Sequence, residues 1–109
     1  MKKETLKILS CERVKTEVGC GNMYVILGHS DGALIELFAV LGKAGGCGAC
    51  FNEALSRMIT LASKYSVPVN EIVAELMGIQ CPSPHLVGGD DEALSCPDAI
   101  AKVMAKEDK

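Results

Sequence analysis

The chain has 109 residues, of which 49% are hydrophobic and 23% charged, and this composition suits one domain with a genuine apolar core. A net charge of −3 gives no electrostatic reason to bind nucleic acid or an anionic membrane surface. The longest apolar run, 37–41, is far shorter than the roughly 20 residues of a membrane span. Lys7 also interrupts the apolar stretch that an export signal would need. We therefore expect a single cytoplasmic domain, 1–109.

The first part of the chain carries the signals of extended structure. Short runs rich in Val, Ile, Leu and Tyr are separated by glycine-containing breaks, and they predict strands near 6–17, 22–28 and 33–41. Asp31-Gly32 suits a tight antiparallel turn between the last two strands, because glycine accepts positive φ. The adjacent His29 is expected in the same hairpin loop.

After a glycine-rich interruption at 42–48, apolar residues recur with helical spacing and predict the main helix near 48–65. Polar residues occupy its other side, so the apolar stripe is expected to face the core. That stripe consists of Phe51, Ala54, Leu55, Met58, Ile59, Ala62 and Tyr65.

Two shorter helices follow. One is predicted after Pro68 and ends at Gly78, with Ile72, Val73, Leu76 and Met77 facing inward. The other is predicted at 96–106, where Ser95 is the expected N-cap and Asp98 completes a capping box. Its apolar stripe consists of Ala99, Ile100, Val103 and Met104. The pattern as a whole predicts an α+β fold, with an antiparallel sheet of three to four strands packed by about three helices.

Six cysteines in a chain of this length are more than packing requires, and a reducing cytosol keeps most of them as thiols. Metal binding or redox chemistry therefore becomes the leading expectation. Cys11 is interpreted as a strand residue, and Cys50 lies within the main helix. The other four flank the ends of predicted elements, where segments of backbone converge, and these are Cys20, Cys47, Cys81 and Cys96.

Cys47 and Cys96 stand at predicted helix N-termini, where unpaired amides and the helix dipole favour thiolate over thiol. Four thiolates in a tetrahedral array at about 2.3 Å form a closed structural zinc site. The spacing of the cysteines does not decide between such a site and buried thiols that only pack, because the gaps between them are long. His85 is the expected substitute ligand, since its loop is bracketed by two cysteines.

Two other functions stay open at this point. Cys47 and Cys50 form a Cys-x-x-Cys motif at a helix start, which is the arrangement of a redox dithiol, although its usual proline and aromatic neighbours are missing. The glycine-rich 42–48 segment precedes the same helix, where amides bind phosphate, but it does not fit the Walker pattern.

The residues around the four cysteines form four short motifs, which are Gly19–Val25, Gly42–Cys47, Gly78–Pro82 and Leu94–Ala101. In this order, and over about residues 13–105, they resemble the TSCPD domain family. The signature of that family is similar to the last motif, in which Leu94 stands where the family has Thr. The stand-alone members carry four cysteines in a pattern that suggests metal binding, and these correspond to Cys20, Cys47, Cys81 and Cys96.

The resemblance favours a metal site, with zinc ahead of an iron–sulfur cluster because thiolate ligation comes without an evident redox need. All-cysteine ligation leaves the cluster as an alternative. The family domain occurs at or near the C-terminal end of adenosylcobalamin-dependent ribonucleotide reductases and also as small stand-alone proteins. The resemblance therefore implies an accessory or interaction module whose partners are ribonucleotide reductase subunits.

No catalysis is expected of this domain on its own, because the reductase's catalytic barrel takes several hundred further residues. A detached component of a split ribonucleoside-diphosphate reductase is the alternative that the resemblance leaves open. Exposed strands at the sheet edges would also allow a homodimer by edge-to-edge pairing.

Overall fold

Three antiparallel strands, neighbours in chain order, form the sheet on which the helices pack. The computed structural model describes residues 9–19, 21–41, 46–89 and 92–107, without the side chains of residues 46 and 47. Within these residues the fold is α+β with three strands and three helices, which confirms the predicted class. The elements are β1 (Ser10–Val18), β2 (Gly21–Ser30), β3 (Ala33–Leu41), α1 (Gly46–Lys64), α2 (Val69–Leu76) and α3 (Cys96–Glu107).

Tight turns set the register of both hairpins. Ser30 pairs with Ala33, so Asp31 and Gly32 form a two-residue turn, and their φ angles of 52° and 78° are the left-handed values that the sequence predicts there. The prediction that His29 lies in this loop is wrong, because His29 belongs to β2 and pairs with Leu34. The sheet pairing extends β2 by two residues, His29 and Ser30, beyond its predicted end at 28.

One face of the sheet carries the core. The register places Val25 opposite Ala39 and Leu27 opposite Leu37, so alternate residues of β2 and β3 point to the same side. Each large aliphatic side chain buried there stabilises the fold by about 1.5–3 kcal/mol. Helix α3 contributes the stripe predicted for it, and all four of its residues are buried: Ala99, Ile100, Val103 and Met104.

Helix α1 lies along the open edge of β3 and bonds to its backbone. The Leu37 N–H donates to Thr60 Oγ1 at 3.0 Å, and the Thr60 hydroxyl donates back to the Leu37 carbonyl at 3.1 Å. One helical turn earlier, the Ala39 N–H donates to Ser56 Oγ at 2.9 Å. Four helix residues rise about 6 Å and two strand residues about 6.8 Å, so hydroxyls at i and i+4 meet successive outward-facing amides. The helix thereby protects an edge that would otherwise be free to pair.

The prediction of which side of α1 faces inward is partly wrong, because Ser56 and Thr60 bond to the backbone of β3. Part of its polar side is turned inward, and Asn52, Ser56 and Ser63 are buried. Of the predicted apolar stripe, Ile59 is buried, and Leu55 and Ala62 pack against the core. The other members of that stripe are exposed, and these are Phe51, Ala54, Met58 and Tyr65. An edge strand offers hydrogen bonds that an apolar face of a helix cannot satisfy.

Helix α2 packs mainly against α3. Ile72 is buried and Val73 and Leu76 pack against the core, as predicted, whereas Met77 is 41% exposed because α2 ends at Leu76. Gly78 adopts a φ of 88°, consistent with its predicted role in stopping the helix. None of the helices in the described ranges is both long enough and apolar enough to span a bilayer.

Replacing Ser56 and Thr60 together by Ala tests the contact between α1 and the β3 edge. Two β3 amides would lose their acceptors, one buried at Ala39 and one partly buried at Leu37, at a cost of about 1–3 kcal/mol each. Urea unfolding followed by circular dichroism should show this loss in the free energy of unfolding. Ser10→Ala, at an exposed position of β1, is the matched control and should change stability by less than about 0.5 kcal/mol. Equal stability of the double variant and the control would contradict the assignment.

Candidate functional site

Of the four predicted cysteine ligands, two have side chains within the described part of the structure. Cys81 lies in the loop after α2, Cys96 is the first residue of α3, and both are partly buried. Cys47 is the second residue of α1, as expected for a helix start, but its side chain is outside the described part. Cys20 also lies outside the described residues, although its neighbours Gly19 and Gly21 are within them.

Cys81 and Cys96 are carried by neighbouring segments. The Cys81 N–H donates to the carbonyl of Leu94 at 3.0 Å, and Leu94 stands two residues before Cys96. The loop after α2 therefore runs beside the start of α3. This juxtaposition joins two of the four cysteine segments across 15 residues of chain.

Ser95 and Asp98 hold these two segments together. The Asp98 N–H donates to Ser95 Oγ at 3.1 Å, which confirms the predicted N-cap, and the Ser95 hydroxyl donates to the Ile79 carbonyl at 2.6 Å. The carboxylate of Asp98 accepts from the N–H of Gly78 at 2.9 Å and from that of Leu94 at 3.0 Å. Both residues thus connect the end of α2 to the start of α3.

The Asp98 carboxylate is a buried anion, with 1% of the residue exposed. Burial by itself raises the pKa of this carboxyl, but the hydrogen bonds from Lys102, Gly78 and Leu94, with the positive charge of Lys102, outweigh it and lower the pKa below its usual value. Lys102 Nζ lies 2.8 Å from Asp98 Oδ2 and also donates to the Glu92 carbonyl at 2.7 Å. Both oxygens of the buried Asp98 carboxylate therefore accept hydrogen bonds, and the negative charge is paired with Lys102.

Sequence reasoning identified the cap but not this role of Asp98. A capping box would have the carboxylate accept from the Ser95 N–H, but it accepts instead from the N–H of Leu94, one residue earlier. The bond to Gly78 reaches across 20 residues, and no local pattern announces it. The only sequence signal is an Asp immediately before a buried apolar stripe.

A close backbone approach brings the β1–β2 turn to the same place. A Cβ added to Gly19 would overlap the carbonyl oxygen of Ser83, so only glycine fits this position. Gly19 precedes Cys20, and Ser83 lies two residues after Cys81. Gly19, the residue before Cys20, therefore packs against the loop that contains Cys81.

The start of α1 lies toward this end of the sheet as well. Val18 pairs with Gly21 at the β1–β2 turn, and Leu41, the last residue of β3, pairs with Met23. A Cβ on Gly48 would lie 3.2 Å from Leu41 Cδ1, so the first turn of α1 contacts the end of β3. We call this region, which comprises the β1–β2 turn, the end of β3 and the residues packed on them, the turn end of the sheet.

The remaining candidates stand apart from one another. Cys11 pairs with Gly28 within the sheet, as its strand interpretation predicts, and Cys50 is exposed on α1. His85 is half-buried, pairs with Ala93 through two backbone hydrogen bonds, and lies 3.3 Å from Glu17 through Nε2. Among the described side chains, no group of three or more His, Cys, Asp or Glu residues is arranged to hold a metal ion. Of the four predicted ligands, Cys81 and Cys96 are among these described side chains.

The fold and this site define a small α+β domain in which several cysteine-bearing segments converge at one end of a three-stranded sheet. A family model described as the TSCPD domain matches residues 3–108. The chain therefore belongs to the TSCPD domain family, which confirms the resemblance found in its motifs. Comparisons with curated proteins and with solved structures give no significant match.

Asp98→Asn tests the connection between α2 and α3. An amide keeps one acceptor oxygen and adds an N–H₂ group, so one backbone donor loses its partner and Lys102 loses its ion pair. We expect a loss of about 2–4 kcal/mol in the free energy of unfolding, measured in urea. Glu53→Gln is the control, because Glu53 forms an exposed ion pair with Arg57 that contributes less than about 1 kcal/mol. Equal effects of the two substitutions would show that the Asp98 network is not structural.

Proposed function

We propose that this domain binds a metal ion, zinc in the first place, through Cys20, Cys47, Cys81 and Cys96, and that the ion ties the sheet to the helices. The observation that carries the proposal is the meeting of their segments at the turn end of the sheet. Gly19 packs on Ser83, and Cys81 bonds to Leu94. The fourth segment is the start of α1, which carries Cys47 and contacts Leu41 at the end of β3.

The chemistry of the donors fits a structural zinc ion. Thiolates are the preferred ligands of closed, four-coordinate zinc sites. Cys47 and Cys96 are both in the first turn of a helix, where the dipole and the unbonded amides stabilise a thiolate and so lower the proton cost of metal binding. When bound, the ion would supply a cross-link between distant segments, which a domain of this size can use for stability.

The contacts to the backbone also explain why the Leu94–Ala101 motif contains Ser95 and Asp98 beside Cys96. Ser95 and Asp98 bond to Ile79 and Gly78, the residues just ahead of Cys81 in the chain. These bonds fix the approach of the two segments that carry Cys81 and Cys96. Outer partners of this kind hold ligands in place in metal sites generally.

We further propose that the domain is an accessory or interaction module of a ribonucleotide reductase in the cytoplasm. Membership of the TSCPD domain family supports this second proposal. The resemblance implies that the family's domain occurs at or near the C-terminal end of such enzymes. The proposal assigns no reaction to the domain itself. The alternative within the same family is a component of a split reductase that acts only with its partner chains.

Metal analysis of protein purified under reducing conditions tests the ligand set. The proposal expects about one zinc ion per chain in the wild type and its loss in each of the four single Cys→Ser variants at 20, 47, 81 and 96. Cys11→Ser and Cys50→Ser are the matched controls and should retain the metal. An iron–sulfur cluster would instead give iron, sulfide and visible absorption.

The redox alternative gives the opposite result in the same experiment. It expects no metal, together with a Cys47–Cys50 disulfide that forms reversibly and disappears in Cys50→Ser. Metal that survives Cys81→Ser or Cys96→Ser would contradict the proposed ligand set directly.

Gly19→Ala tests the convergence of segments without removing a thiol. The new Cβ would meet the Ser83 carbonyl, so the turn with Cys20 must move away from the loop with Cys81. Zinc affinity, measured by competition with a chelator, should fall by about 10-fold or more, as for other changes outside the ligands themselves. Gly28→Ala is the control, since Gly28 lies on β2 away from the turn end and its Cβ would approach most closely the flexible end of Leu9, at 3.1 Å. Unchanged affinity in Gly19→Ala would mean that the turn and the loop need not meet for metal to bind.

A further inference from the structure

Helix α1 presents an exposed apolar stripe at heptad spacing. The five residues follow one another in alternating steps of three and four, which is the a/d repeat of helices that pack along their length. The four large ones are well exposed, with 70% of Phe51, 62% of Met58, 55% of Tyr65 and 42% of Leu61 accessible. We call the stripe the α1 seam, and it consists of Phe51, Ala54, Met58, Leu61 and Tyr65.

The seam is not a surface that the domain's own core needs. The helix is already fixed by Ser56 and Thr60 on the β3 edge and by the buried Ile59. A third side of α1 carries the exposed Glu53–Arg57 ion pair, with its atoms 2.9 Å apart. The seam therefore combines five apolar side chains with no charged residue among them, on an otherwise anchored helix.

We propose that the α1 seam is a homodimer interface, in which it packs antiparallel against the same seam of a second copy about a two-fold axis. This inference is independent of the proposed metal site. A heptad repeat is matched by another helix with the same repeat, and a two-fold axis makes one surface complementary to itself.

The sizes of the side chains favour the antiparallel arrangement. With the axis between positions 54 and 58, Met58 of one copy faces Ala54 of the other, and Phe51 faces Leu61, so large residues meet smaller ones. A parallel pair would place Ala54 against Ala54 and leave a gap. It would also align the two helix dipoles, which the antiparallel pair opposes.

The area of the seam sets the expected strength. Its exposed side chains offer on the order of 500 Å² per copy, so pairing would bury about 1,000 Å² in all, the lower limit of specific interfaces. A reversible dimer with a dissociation constant of roughly 10–100 μM is the expected result.

Edge-to-edge strand pairing, the route suggested by the sequence, is less favourable. Two outward amides of β3 are already bonded to Ser56 and Thr60. The other edge, β1, carries Glu12, Arg13 and Glu17, and charged side chains along an edge oppose pairing.

Sedimentation velocity from about 5 μM to about 500 μM tests the proposal on the full chain, with reductant present to prevent disulfide dimers. Apo protein prepared with chelator and zinc-loaded protein are run side by side. We expect the average mass to rise from near that of the monomer at the low concentration toward twice that mass at the high one, in both forms. Met58→Glu should remain monomeric throughout, with an unchanged circular dichroism spectrum, because its side chain is exposed in the monomer.

Two controls locate the interface. Leu86→Glu introduces the same charge at a residue that is equally exposed but lies in the loop, and it should dimerise like the wild type. Phe38→Glu changes an exposed residue of the sheet and should also dimerise. The proposal is overturned if the wild type is monomeric at every concentration, if Met58→Glu dimerises normally, if dimers form only with zinc, or if Phe38→Glu alone abolishes the dimer.

Discussion

The buried carboxylate of Asp98 is the interaction on which the rest of the site depends. A charge that is 1% exposed must be satisfied by its surroundings, and here Gly78, Leu94 and Lys102 all bond to it. Those partners come from the end of α2, the following loop and α3. The requirement to satisfy one carboxylate therefore fixes the relative positions of three segments, two of which carry cysteines.

The sheet supplies the other half of the arrangement. Because β1 and β2 are joined by a tight turn, Gly19 and Gly21 are held at a defined end of the sheet, and β3 finishes beside them at Leu41. The absence of a side chain at Gly19 then lets the turn approach the Ser83 backbone. Segments that are distant in sequence are thus brought together by backbone contacts.

Much of the fold follows from local patterns in the sequence. The Asp31-Gly32 turn, the Ser95 cap and the apolar stripe of α3 are each determined by residues a few positions apart, and each is found as predicted. Helix α1 differs because its environment is an open strand edge. Hydrogen bonds from Leu37 and Ala39 draw its hydroxyl-bearing side inward, and periodicity alone carries no information about that neighbour.

In the candidate site, too, some features follow from the local sequence and others depend on long-range contacts. The position of Cys96 at a helix start follows from its neighbours, whereas its proximity to the Cys81 segment depends on the long-range bond between Gly78 and Asp98. Four of the five residues of the α1 seam belong to the apolar stripe that the sequence predicts to face the core, and Leu61 does not. Whether an apolar stripe is buried within one chain or between two copies is decided by tertiary structure, which no single helix specifies.

We propose that four sulfur atoms from distant segments share one metal ion. X-ray absorption at the metal edge, recorded on protein as purified under reducing conditions, measures the number and type of ligand atoms directly. If the four cysteines hold the ion, the spectrum will show four sulfur neighbours at about 2.3 Å and no nitrogen or oxygen in the coordination shell. A shell with two or fewer sulfurs, completed by lighter atoms, would contradict this proposal.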